Sequence, residues 1–153
     1  MRGGVGRSAD RQGLALKSGK RTEFGLPGVA MTQSVRTRFA LGAYVACFGV
    51  GAINHARDFL TYGWRPYSFA PPSLEAFWTS LLVLDVLVIV LVVANWRRSG
   101  LFLATVVMVA DVAANAVASF VLEIPGFAVA LPMQAAFLGF VLGSLPFLWP
   151  ARS

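Results

Sequence analysis

Residues 81–93 read LLVLDVLVIVLVV, an apolar run with one polar side chain, Asp85. No Gly or Pro interrupts it, and apolar and polar positions do not alternate. A barrel strand in lipid would alternate an outward apolar face with an inward polar one, so the run predicts a helix in an apolar medium. The next residues, ANWRRSG at 94–100, supply charge and a helix breaker, and LFLATVVMVADVAANAVASFV at 101–121 is a second apolar block. So short a connection forces the two blocks to lie antiparallel as a hairpin.

Working outward, two more blocks flank this hairpin. All four, at 39–60, 76–96, 101–121 and 126–149, are long enough at about 1.5 Å per residue to cross a hydrocarbon core of about 30 Å. The expected fold is an all-α integral membrane protein: a four-transmembrane-helix bundle over residues 39–149, up-down-up-down, followed by a short tail at 150–153. The first block is the weakest, because its apolar run stops at Ile53 and Asn54, His55, Arg57 and Asp58 follow. A cleaved signal peptide is the rival reading there, and the missing A-x-A site argues against it.

Composition agrees. Of 153 residues, 57% are apolar and 13% charged, about half the charged fraction usual in water-soluble chains. The net charge of +6 does not mark a nucleic-acid partner, because 8 of the 13 Lys and Arg precede residue 39 and the others sit at the ends of apolar blocks. That is a topology signal. Arg36, Arg38, Arg97, Arg98 and Arg152 fall on one side, against Arg57 and Arg65 on the other, so both termini are expected in the cytoplasm, in a plasma or inner membrane. Residues 1–38, rich in Gly, Ser and Arg, read as a disordered basic tail. Within it Met31, followed by Val35-Arg36-Thr37-Arg38, is an alternative start with a normal short cytoplasmic lead.

The loop at 61–74, TYGWRPYSFAPPSL, places Tyr62, Trp64, Tyr67 and Phe69 where a headgroup interface suits aromatic rings. Pro71 and Pro72 stop the preceding helix, Ser73 is a candidate cap, and Glu75 sits in the first turn of the next. An interfacial connector is the first reading of this loop, and a lid over a cavity the second.

Polar residues at membrane depth are the functional candidates. Asp85 lies about 14 Å from the outer end of its helix and Asp111 about 15 Å into the next, both near the midplane. Each costs about 2.5 to 3.5 kcal/mol to insert, so both should face the bundle interior or a wet cavity. The hairpin allows them to approach one another. Asn115 stands one turn from Asp111 on the same face, and Gln134, about 12 Å below the outer surface, can complete a network. In the first helix, Asn54 and His55 lie four and three residues before Asp58, close enough for the carboxylate to orient the imidazole.

Metal and cofactor chemistry finds little support. His55, Asp58, Asp85, Asp111 and Asn115 spread over roughly 10 Å of depth by helix rise, and a single histidine excludes bis-histidine haem. No cofactor is implied. One cysteine, Cys47, excludes disulfides within the chain and reads as a small packing residue. Gly139 and Gly143 form a small-xxx-small step expected to pack inside the bundle.

Three functions follow in order. The first is a non-enzymatic membrane component or accessory subunit, with a membrane-protein partner or a second copy. The second is a small carrier or binding protein for a proton, a cation or an amphipathic ligand, using the intramembrane aspartates. The third is a membrane enzyme acting on a lipidic substrate through His55 and Asp58. A cavity reaching the aspartates would favour the second over the first.

Overall fold

The computed structural model describes residues 27–150, with side chains from Ser34 onward. Among these residues there are four helices and no strand: α1 Pro27–Tyr62, α2 Pro72–Val93, α3 Arg97–Phe120 and α4 Phe127–Leu148. All four are long and apolar enough to cross a membrane. Residues 1–26 and 151–153, and with them most of the expected basic tail, lie outside the described residues. The stretch 27–38, read as tail from its composition, is the beginning of α1. A proline suits the first helical position, where its fixed φ is preorganised and its missing N–H costs nothing.

Helix α2 likewise begins with a proline, Pro72, and no side chain caps it. Ser73 is therefore inside the helix rather than its cap. Glu75, in the first turn as expected, instead accepts two bonds from Arg65, at 2.7 Å from Nε and 2.8 Å from Nη2, which ties the 63–71 loop to the start of α2. The hairpin between α2 and α3 turns through Asn95 at φ 64°, whose Oδ1 accepts from Arg97 Nε at 3.0 Å. Gly126 opens α4 with φ 93°, a left-handed backbone that a side chain would strain.

The helices alternate in direction. Between α1 and α4, Arg36 lies over the Phe147 ring at 5.3 Å, the Tyr44 hydroxyl bonds Ser144 Oγ at 3.0 Å and the Val141 carbonyl at 3.2 Å, and Phe48 meets Phe137 edge-on at 5.5 Å. Numbers rise on one helix as they fall on the other. This half of the bundle, the arginine end, is solid: Tyr44, Val88, Leu101, Ala104 and Val141 have no exposed surface. Outside, large apolar side chains such as Leu60, Val83, Val93, Phe102 and Val129 are exposed around the bundle. An apolar exterior over polar interior contacts inverts the arrangement of a water-soluble domain and suits lipid.

Two small-residue expectations change. Gly139 and Gly143 are exposed with nothing within 4 Å of a Cβ built there, so this step of α4 faces outward instead of packing inside. Cys47 is exposed as well, not a packing residue of the core. Small side chains tolerate a helix interface and a lipid-facing surface equally, so their spacing does not fix the side they take.

Candidate functional site

Beyond Phe48 and Phe137 the four helices part around a cavity of about 550 Å³ at the loop end of the bundle. Helix α1 contributes His55, Asp58 and Tyr62, α2 Trp78, α3 Asp111 and Asn115, and α4 Phe127, Ala130 and Gln134. The 63–71 loop adds Tyr67, and Pro125 and Gly126 complete the rim.

Two hydrogen-bonded groups shape the walls. In the first, Tyr67 descends from the loop, donates to Asp58 Oδ2 at 2.7 Å and meets His55 Nδ1 at 2.8 Å. A carboxylate only accepts, so the single phenolic proton goes to Asp58 and His55 must carry its proton on Nδ1, donating to the phenol oxygen. In the neutral ring this leaves Nε2 as an acceptor. Burial, together with the Asp58 bond and the charges of Asp58 and Asp111, holds the Tyr67 phenol far above its ordinary pKa, so it stays a proton donor at any working pH.

Asn115 is the hub of the second group, and its amide is fully used. Oδ1 accepts from the indole Nε1 of Trp78 at 2.9 Å, while Nδ2 donates to Asp111 Oδ1 at 3.1 Å and to Gln134 Oε1 at 2.8 Å. Because an indole only donates, the amide has one orientation, and this in turn fixes Gln134 with its Nε2 free of protein partners among the described residues. Three helices meet at this one side chain.

Beside the Gln134 amide nitrogen and His55 Nε2, two acidic oxygens remain open. Asp58 Oδ1 and Asp111 Oδ2 make no hydrogen bond among the described residues, and no Lys or Arg lines the cavity. The rest of the wall is aromatic: Trp78 stacks on Phe127 at 4.5 Å and 18°, and Tyr67 stands edge-on to Trp78 at 5.7 Å.

The candidates named from the sequence separate into three groups. His55, Asp58, Asp111, Asn115 and Gln134 converge on the cavity. Asn54 does not: it is exposed on the outside of α1. Asp85 is buried at 5% exposure but takes no part in the cavity wall or in any hydrogen bond among the described residues. It lies against Gly51 of α1, where a Cβ would stand 2.5 Å from its Oδ2. No partnerless side-chain oxygen in the described bundle is sealed from water-sized space, so the Asp85 carboxylate retains a small opening.

Tyr67 and Trp78 are site residues that sequence reasoning missed. Tyr67 was read as interfacial with its neighbours. Trp64 and Phe69 are exposed and fit that reading, whereas Tyr67 is 8% exposed and turned inward. Trp78 carries one signal, its seven-residue spacing from Asp85, which places both on one face of α2. Among the described residues no group of three His, Cys, Asp or Glu is placed to hold a metal ion. Comparison of the chain with protein-family models, with characterised proteins and with solved structures found no match.

Proposed function

We propose that this chain is a multi-pass protein of a plasma or inner membrane, with both termini cytoplasmic, that binds a small organic cation in the cavity at its outer end. One observation carries the reading: two carboxylate-bearing residues, each with an oxygen left without a protein partner, face a common cavity walled by Trp78, Tyr67 and Phe127, with no Lys or Arg among the lining residues. An aromatic face adds about 0.5 to 2 kcal/mol for a cation placed over it, and a cavity of this size lies within the range of small-ligand sites. The purely structural reading accounts for Asn115 but leaves the open oxygens without a purpose.

Benzyltrimethylammonium is a suitable probe, titrated into purified protein in lipid nanodiscs and followed by calorimetry. Saturable binding is expected, with Asp111→Asn weakening it at least tenfold, or about 1.4 kcal/mol. The variant should fold normally, because an amide oxygen at position 111 still accepts from Asn115. Binding of the neutral carbon isostere with equal affinity, or indifference to Asp111→Asn, would refute the reading.

Orientation has its own check. The charge asymmetry of the connections supports an outer position for the 63–71 loop. A glycosylation or alkaline-phosphatase reporter inserted at Gly63 should therefore report the non-cytoplasmic side, and a cytoplasmic signal there reverses the topology.

A further inference from the structure

We infer that the cavity is entered sideways from the bilayer, between the outer ends of α1 and α4, and that its ligand is a single-chain amphiphile with a cationic amine head. This rests on the cation-binding reading and adds the route and the tail.

The seam between α1 and α4 is closed over only part of its length. From Arg36–Phe147 through Tyr44–Ser144 to Phe48–Phe137 the two helices are clasped by a cation–π contact, hydrogen bonds and rings. Beyond Phe48 and Phe137 no hydrogen bond, ion pair or ring contact joins them among the described residues. Each upper half is bonded elsewhere: His55 and Asp58 of α1 to Tyr67 of the loop, and Gln134 of α4 to Asn115 of α3. Both nevertheless line the same cavity, so the gap between them is one of its sides.

The loop covers part of the top. Tyr67 is buried beneath the loop, Phe69 reaches from the loop to the Phe127 ring at 6.4 Å, and Arg65 anchors the loop to Glu75. Of the cavity-lining residues on these two helices, Ala130 on α4 and Tyr62 on α1 are exposed. Both belong to segments long and apolar enough to lie in lipid. A molecule crossing them leaves its apolar part among acyl chains while its head meets Asp58 and Asp111. A charged head with no tail gains nothing from this route, whereas a long-chain amine already dissolved in the leaflet needs no passage through water.

The test uses full-length protein in nanodiscs and a sixteen-carbon alkyltrimethylammonium bearing a nitroxide near the end of its chain, observed by electron paramagnetic resonance. Bound probe is recognised as an immobilised component displaced by excess tetramethylammonium. The inference expects that component to be relaxed by lipid-dissolved oxygen and not by a water-soluble nickel chelate. It also expects Ala130→Phe to lower affinity for the long-chain probe by a factor at least tenfold greater than its effect on tetramethylammonium. Immobilised probe open to nickel, or shielded from both relaxants, overturns the lateral route while leaving cation binding intact, as does an equal effect of Ala130→Phe on both ligands. Absence of any displaceable component overturns the cation-binding reading itself.

Discussion

Replacing Asn115 by Leu is expected to lower the stability of the bundle by about 2 to 4 kcal/mol, the largest effect of any single substitution considered. The amide is 4% exposed and serves three partners at once. Leu leaves the Trp78 indole N–H, a carboxylate oxygen of Asp111 and the Gln134 carbonyl without a partner inside the bundle. An unsatisfied buried group costs about 1 to 3 kcal/mol, while hydrogen bonds between membrane helices average nearer 0.6 to 2. The lower scale sets the estimate, because groups facing a cavity can be partly rehydrated. Steric trapping or denaturation in mixed micelles measures the loss. Trp78 offers a second readout, since a freed indole should shift its emission. An unchanged stability would mean that the Asn115 hub does not hold α2, α3 and α4 together.

The second large effect is expected at Gly51. A methyl group there would stand 2.5 Å from Asp85 Oδ2, so the carboxylate must shift to admit it. Gly51→Ala is therefore expected to cost about 1 to 3 kcal/mol, as overpacking does. The strain has one identifiable source, so Asp85→Ala in the same background should recover most of the loss. Asp85→Ala alone should not destabilise by the amount expected of a bonded polar residue, because its carboxylate has no protein partner to orphan and is costly to hold at this depth. Double-mutant stability in micelles gives the coupling directly. Unchanged stability of Gly51→Ala would show that the Asp85 carboxylate rotates away from the new methyl, and additive losses would show that the strain comes from another neighbour.

Much of this was legible in the residues. The uninterrupted run at 81–93 and the Arg97–Arg98 turn mark the α2–α3 hairpin without reference to anything else, because backbone groups in an apolar medium must be satisfied within the segment. The Asp111–Asn115–Gln134 network follows from a four-residue step on one helix and a matching depth on another. His55 and Asp58 were also paired by spacing, yet the carboxylate does not touch the imidazole in the way that spacing suggests. Tyr67 sits between them, and nothing local distinguishes it from the loop's other aromatic residues. Which ring turns inward depends on how the loop closes between Arg65 and Glu75, a contact across ten positions that no periodicity encodes.

Depth along a helix was readable; direction around it was less so. Asp85 and Asp111 were placed at similar levels from helix rise alone. The packing sends one toward Gly51 and the other into the cavity. Rotational setting in a bundle is decided by which small residues let backbones approach, and Gly51, Gly139 and Gly143 look alike in sequence while only the first receives a neighbour.

The Tyr44 clasp has a consequence for what the molecule can accomplish. With Tyr44 bonded to Ser144 and Val141, and with Phe48, Phe137 and Phe140 packed around it, the α1–α4 seam at the arginine end is filled among the described residues. Under the proposed cation-binding reading, the protein in this form is a vessel with one mouth rather than a conduit. A guest would then depart the way it came, so occupancy would follow mass action with a single leaflet and be indifferent to concentration on the far side. Such a device would store or present its guest. Net transport would require the Tyr44–Ser144 bond to break, which makes that bond the barrier any conduction model has to remove.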